Sequence, residues 1–295
     1  MDEDACDGSA RLRLGMRLQE LRESCPPVEA SRSRGMTRAA AVREVAALTP
    51  AALAHIEGGD LGIGTGDLRL LLRRYRVEDD VLIGQLARLA REGGDEDRLR
   101  RYRPFMRTGL PRVVALEAEA REILTYHPTV VCEPVQTERY TRAWFETQRL
   151  VEGFSSEYGE RNTELRLERS KHILTRRNPP ALRVVLDEAA LRTPVGDGDV
   201  MREQFRALVD LAGQDRISIR VLTFQRGYRS THGFTLLRFG DIPAHVHAES
   251  AWGTVSSSDK APDVQRFTRR FESMESAALS REATIRHLRA LGQRQ

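Results

Sequence analysis

Five short segments with helical periodicity follow one another between Leu14 and Gly94, and this run limits most strongly what the chain can fold into. Proline, glycine and serine breaks separate the segments, and none shows the alternation of a strand. At 295 residues the chain is long enough for two domains. We therefore predict an acidic tail at residues 1–10 and an all-α domain of five helices at residues 11–94.

The second and third segments predict two helices joined by a turn. The second begins at Thr37, a suitable N-cap, and runs through the alanine-rich sequence TRAAAVREVAA. In the third, Thr49-Pro50 is the expected cap and first-turn pair, and Gly58-Gly59 marks the end. Leu53 and Ile56 lie on one face of this third helix.

The sequence changes character after a charge-dense linker predicted at residues 95–112. Short runs rich in β-branched and aromatic residues predict strands at Leu182–Asp187, Ile217–Phe224, Gly233–Phe239 and His245–Glu249. Helices are predicted at Val113–Leu124, Glu138–Arg149, Arg161–Thr175, Asp199–Ala212, Val264–Leu279 and Ser280–Leu291. Residues 113–291 are thus expected to form an α+β domain with a small antiparallel sheet.

Composition limits the class of protein further. No apolar run reaches the roughly 20 residues that span a bilayer, and the acidic start does not resemble a signal peptide, so we expect a cytoplasmic protein without membrane contact. Cys6, Cys25 and Cys132 have neither disulfide nor zinc-site spacing. Almost every positive charge is arginine, which suits phosphate contacts and is equally typical of GC-rich coding. No cofactor or nucleophile motif is present, so neither a cofactor nor a catalytic residue is predicted.

Three segments of the first domain resemble helix-turn-helix proteins of the phage-repressor, or XRE-like, type. They are LGMRLQELRE (Leu14–Glu23), LTPAALAHIEGG (Leu48–Gly59) and DLRLLLRRYRV (Asp67–Val77). The resemblance implies that the third helix enters the major groove of double-stranded DNA and that the protein binds DNA as a homodimer.

The second domain resembles the DUF5753 domain, which follows a helix-turn-helix in many actinobacterial regulators. The matching segments include LEAEAREI (Leu116–Ile123), PVQTERYTRAWF (Pro134–Phe145), ELRLERSKHIL (Glu164–Leu174) and PALRVVLDEAALRTPVG (Pro180–Gly196). The resemblance implies a domain that dimerises and receives a small-molecule or protein signal. It also implies a role in differentiation or specialised metabolism, and a small DUF397-type protein partner.

The resemblance places the DNA contacts on the second and third helices, and its candidates are Arg38, Arg43, Thr49, Ala51, Ala52 and His55. Base edges are read by hydrogen-bonding side chains, and the Ala51–Ala54 segment supplies few. DNA binding is therefore expected to be weak, shape-driven or lost. The alternative is that the recognition helix has lost the ability to read DNA and that the second domain binds or converts a small metabolite.

Alternation places His245, His247 and Glu249 on one face of a predicted strand, with His232 nearby in sequence. Such a set could hold a metal, but this open spacing is far less specific than a closed Cys/His signature, and no metal is predicted. The alternative is an edge strand with a solvent-exposed polar face, in which Val246 and Ala248 point inward.

Three further groups each have two interpretations. Asp187 and Glu188, followed by Arg192, form an acid pair for a ligand, or Asp187 caps the helix EAALR. Trp144 and Trp252 line a ligand cavity or pack in the core. The arginine-rich stretch from Arg98 to Arg107 contacts nucleic acid or forms a solvated linker. The candidate ligand-binding residues are Trp144, Asp187, Glu188, Arg192, His232, His247, Glu249 and Trp252.

Overall fold

Side-chain caps define the start of many helices in this protein. In the computed structural model, Thr37 and Thr49 accept hydrogen bonds from the backbone N–H groups of Ala40 and Ala52, and Asp197 caps a later helix in the same way. The structure describes residues 7–26, 35–43, 45, 48–59, 61–92, 100–240, 243–250 and 253–294. The predicted Thr49-Pro50 start and Gly58 end of the third helix are confirmed.

The helices of the described residues are α1 (Asp7–Ser24), α2 (Arg38–Ala41), α3 (Pro50–Glu57), α4 (Thr65–Arg74), α5 (Asp80–Glu92), α6 (Leu110–Glu119), α7 (Glu138–Glu152), α8 (Ser156–Thr175), α9 (Glu188–Arg192), α10 (Gly198–Ala212), α11 (Ala261–Ala277) and α12 (Arg281–Gly292). The described chain also has 3₁₀ segments at Arg100–Phe105 and Glu133–Val135. Helix α2 is shorter than predicted because the helical conformation ends at Val42. Residues 44, 46 and 47 of the predicted helix lie outside the described residues.

The strands of the described residues are β1 (Glu122–His127), β2 (Ala181–Asp187), β3 (Ile217–Leu222), β4 (Phe234–Arg238), β5 (His245–Glu249) and β6 (Val255–Ser258), and they form one sheet in the order β3-β2-β1-β4-β5-β6. The α+β class is confirmed. The prediction of a small antiparallel sheet is wrong, because β1, β2 and β3 are mutually parallel. Parallel neighbours need long crossover connections, which α7 and α8 supply before β2, and α9 and α10 before β3.

The missed strand β1 explains this error. The sequence predicts one helix over Val113–Leu124, but α6 ends at Glu119 and β1 begins at Glu122. Ile123 and Leu124 are both fully buried although they point to opposite faces of the sheet. A central strand covered on both faces lacks the alternation that distinguishes a strand from a helix. The short polar strand β6 was also missed.

The chain divides into two compact units. One contains Met1–Arg101 and Val114–Ala118, and the other contains Tyr102–Val113 and Glu119–Gln295. In the first unit, Leu18, Leu53 and Leu71 belong to one buried core formed from α1, α3 and α4. In the second, one face of the sheet packs against Phe271 and Met274 of α11.

Candidate functional site

A buried ion-pair network fixes helix α3 within the first unit. The Glu57 side chain is 1% exposed, and its Oε1 accepts a 2.6 Å hydrogen bond from Nε of Arg22. Its Oε2 accepts from Nε of Arg38 at 2.7 Å. Arg22 also donates to the carbonyl of Met36 at 2.8 Å. Because Glu57 ends α3 and Arg22 lies in α1, the network holds the end of α3 against α1 and against the start of α2.

Helix α3 keeps one side open to solvent. Ala51 and His55 are exposed, Ala52 is half-buried, and Thr49 is exposed while its hydroxyl caps the helix. On the preceding segment, Arg43 is exposed and the Arg38 side chain is 42% exposed. The candidate DNA contacts are thus at the surface, but Arg38 also neutralises Glu57. Sequence reasoning missed the Arg22–Glu57 pair, which joins residues 35 positions apart.

A second set of polar residues lies on one face of the sheet in the second unit. Strand register aligns Thr125 of β1, Thr235 of β4 and His247 of β5 in one row. The two threonine hydroxyls are 2.9 Å apart and share a hydrogen bond. In the same row, Val184 of β2 lies beside Thr125, and Ile219 of β3 lies beside Val184. In this row the face is therefore apolar at β2 and β3 and polar at β1, β4 and β5.

Two arginines of α8 and one carboxylate complete this polar region. Glu133 contacts Arg166 at 2.7 Å and Arg169 at 2.9 Å, one through each carboxylate oxygen. Burial opposes ionisation of Glu133, but attraction by both arginines lowers its pKa to about 2. His247 also acts to lower the pKa of Glu133. We call Thr125, His127, Glu133, Arg166, Arg169, Thr235 and His247 the sheet-face cluster.

Aromatic rings hold Arg166 in position. Its guanidinium carbon lies 4.9 Å from the centre of the Trp144 ring and 4.7 Å from that of Phe145. Arg166 also donates to Oε1 of Gln136 at 3.2 Å. Trp144, predicted as a ligand residue, thus lies beside the sheet-face cluster.

His127 ends β1 and has a defined ring orientation. Its Nδ1 accepts hydrogen bonds from the backbone N–H groups of Thr129 and Val130, both at 3.3 Å. Burial lowers the pKa of His127, and a neutral ring that accepts at Nδ1 carries its proton on Nε2. Gly233 leaves room for the ring, because a Cβ there would lie 2.4 Å from Cδ2 of His127.

Asp187 has a structural environment. Its Oδ1 caps α9 through the N–H of Ala189 at 2.9 Å, as the capping alternative predicted. Its Oδ2 accepts from the Tyr126 hydroxyl and from Nε of Arg229, both at 3.0 Å. Glu188 pairs with Arg192 and accepts from the backbone N–H of Phe224 at 2.8 Å. These bonds connect the carboxyl ends of β2 and β3.

The other candidate ligand residues that the structure describes do not lie together at one site. Glu249 is 47% exposed and forms an ion pair with Arg107, and His232 is exposed. Trp252 lies outside the described residues, as does Arg98. Within the described part of the chain, no group of three histidine, cysteine or acidic side chains could hold a metal ion.

Strand β5 differs from both interpretations of its sequence. His245 and His247 do share a face, as alternation predicted, but His245 is fully buried and Val246 on the opposite face is 4% exposed. The strand is not at the edge, because β6 pairs with it. The expectation of an exposed polar edge is therefore wrong at His245, whose Nδ1 lies 3.0 Å from the carbonyl of Pro243.

A comparison with protein families identifies the second half of the chain. The family model DUF5753, described as a domain of unknown function, matches residues 110–290. The chain belongs to this family. The DUF5753 match includes the sheet and the whole sheet-face cluster, and it confirms the resemblance of the second domain to DUF5753. Neither the curated proteins nor the solved structures contain a match to the chain. Among the described helices, none is both long and apolar enough to cross a membrane.

Buried histidines predict a pH-dependent stability for the DUF5753 domain. Burial lowers the pKa of His127, His245 and His287 below the ordinary value. The unfolded chain then binds more protons than the folded chain as the pH falls below about 6.5. We expect the free energy of unfolding, measured with urea, to fall between pH 7.5 and pH 5.5. His245→Gln, which cannot titrate, should reduce this fall. An unchanged pH profile would contradict a lowered pKa for His245.

Proposed function

We propose that the chain is a DNA-binding transcriptional regulator of the helix-turn-helix type. One observation supports this most directly: α3 is capped at Thr49, anchored through buried Glu57, and open to solvent at Ala51 and His55. A helix fixed by its buried end and exposed along its outer face can be inserted into a major groove as a rigid body.

Arginines beside α3 would supply most of the affinity. Arg43 is exposed, and Arg38 remains 42% exposed although its Nε donates to Glu57. Guanidinium groups bind phosphate oxygens in a forked geometry. The outer face of α3 offers few groups that can read a base edge, since only His55 and the capping Thr49 are polar there. Phosphate contacts should therefore dominate over base contacts.

The salt dependence of DNA binding tests this proposal. A genomic fragment recovered by genome-wide capture should lose affinity steeply between about 50 and 200 mM salt, because binding releases counterions from phosphates. Arg43→Ala should weaken binding to all sequences alike and reduce the salt slope by about 1 in band-shift titrations. Arg91→Ala, at an exposed position of α5, is the matched control and should change little. Affinity that does not vary with salt, or capture of no fragment, would contradict the proposal.

We further propose that the DUF5753 domain receives a small-molecule signal. The sheet-face cluster supports this role because it places polar and charged groups on an interior sheet face, where β2 and β3 carry apolar side chains. A ligand that binds the folded domain alone would raise its melting temperature by mass action. The homodimer and the small DUF397-type partner remain predictions of the resemblance.

The second candidate function keeps the fold without DNA recognition. Ala51, Ala52 and Ala54 give the outer side of α3 a surface of methyl groups, which favours a degenerate reading helix joined to a domain that binds or converts a metabolite. Genome-wide capture separates the two candidates. A sharp set of bound sites supports the regulator, and ligand binding without any bound site supports the alternative.

A further inference from the structure

We infer that the sheet-face cluster is a binding site for a small organic carboxylate, and that the Glu133 side chain occupies the position of that carboxylate in the free protein. The inference rests on the proposed receiver role of the DUF5753 domain and gives it a ligand class. It does not depend on DNA binding.

The arrangement of charge in the cluster selects an anion. Two guanidinium groups converge on the single carboxylate of Glu133, one at each of its oxygens, so this position holds a negative charge between two positive ones. Arg166 and Arg169 are only 13% and 9% exposed, so solvent screens their positive charges weakly. Burial lowers the pKa of His127, which favours its neutral form.

The exposure of the three side chains shows which of them a ligand meets first. Glu133 is 37% exposed, whereas both arginines are largely covered. The Glu133 side chain is therefore the most accessible of the three, although its carboxylate is buried against the guanidinium groups. A ligand carboxylate that enters from solvent can take over the same hydrogen bonds if the Glu133 side chain rotates outward.

Neighbouring groups can bind the remainder of such a ligand. His127 carries its proton on Nε2, because its Nδ1 accepts from two backbone N–H groups. The hydroxyls of Thr125 and Thr235 lie on the same sheet face. Trp144 provides an aromatic surface next to Arg166. A carboxylate attached to a ring that bears polar groups matches these features.

A purely structural cluster would have a different response to loss of the Glu133 charge. Removing one partner of a buried ion pair normally destabilises the fold and creates no ligand affinity. If Glu133 instead competes with a ligand, Glu133→Gln should leave both arginines available and tighten anion binding. The two interpretations therefore predict opposite outcomes for one substitution.

The experiment uses the full chain with Trp252→Phe, so that Trp144 is the single tryptophan and reports on its surroundings. Fluorescence is titrated with benzoate and with benzamide, which has a similar shape but no charge. We expect benzoate to change Trp144 emission and benzamide to have little effect. Glu133→Gln should lower the Kd for benzoate by roughly 10-fold. Thr235→Val should raise it, and Glu203→Gln, at an exposed ion pair, should not change it.

Each outcome decides the inference. If Glu133→Gln folds and binds benzoate no more tightly than the parent protein, Glu133 does not hold the anion position and the inference is wrong. If that variant does not fold, the parent titration decides, because equal responses to benzoate and benzamide exclude an anion site. A different class of ligand that stabilises the domain would preserve the receiver role while this inference fails. DNA binding, measured separately, would remain unaffected in either case.

Discussion

Glu57→Gln is expected to lower the free energy of unfolding of the first unit by about 3–5 kcal/mol, which is typical when one partner of a buried ion pair is removed. Glu57 is 1% exposed and accepts hydrogen bonds from both Arg22 and Arg38. Arg22 is itself 6% exposed, and without the buried Glu57 carboxylate its guanidinium would rely on Glu23, a 50% exposed side chain at 3.1 Å. The loss should loosen α1 and α3 together, because the pair joins these two helices.

Urea unfolding, followed by helical circular dichroism, measures this loss. Glu20→Gln is the matched control, since Glu20 pairs with Arg17 at 2.7 Å but is 45% exposed. Exposed pairs of this kind contribute about 0–1 kcal/mol. A variant that replaces both members, Arg22→Met with Glu57→Leu, should recover much of the stability. If Glu57→Gln were as mild as the control, the network would not be what anchors α3.

Local signals in the sequence predicted the parts of the fold that depend on neighbouring residues. Thr49-Pro50 and Gly58 define α3 because a cap and a stop act within one helical turn. Asp187 caps α9 for the same reason. Contacts between distant residues left no comparable signal. In the sequence, nothing distinguishes Glu57 from other charged residues near helix ends. Only the structure shows that Arg22 lies beside it.

The candidate site shows the same division between local and distant contacts. His247 and Trp144 were predicted as ligand residues, and both lie at the sheet-face cluster. Glu133, Arg166 and Arg169 were missed, because charges spaced along α8 are typical of pairs on a solvated helix surface. Arg161 and Glu164 do form such a pair at 3.2 Å. Arg166 and Arg169 instead contact Glu133 from another segment, which only the fold brings to them.

The boundary of the DUF5753 domain leads to a second prediction with a large effect. The sequence predicts a linker at residues 95–112 and an independent fold from residue 113 onward. In the structure, Tyr102–Val113 belongs to the same compact unit as the sheet. Tyr102 is 1% exposed, the carbonyl of Phe105 accepts from Asn162 at 3.1 Å, and that of Thr108 accepts from the N–H of Val255 at 2.9 Å.

Gly109 makes this segment hard to replace. Its φ is +85°, and a Cβ at this position would lie 2.1 Å from the carbonyl oxygen of Val255, so the backbone approaches β6 too closely for any side chain. A fragment of residues 113–295 lacks Gly109, the contact with β6 and the buried ring of Tyr102. Loss of a buried aromatic side chain alone costs about 3–5 kcal/mol.

We therefore expect a fragment of residues 100–295 to unfold cooperatively and a fragment of residues 113–295 to melt at least about 10 °C lower, since 1 kcal/mol shifts Tm by about 2–4 °C at this size. Differential scanning calorimetry of the two fragments measures the difference. Tyr102→Ala in the longer fragment separates the ring from the rest of the segment and should account for much of the change. Equal melting temperatures would show that residues 100–112 are a linker, as the sequence predicted, and that their contacts with β6 and α8 contribute little stability.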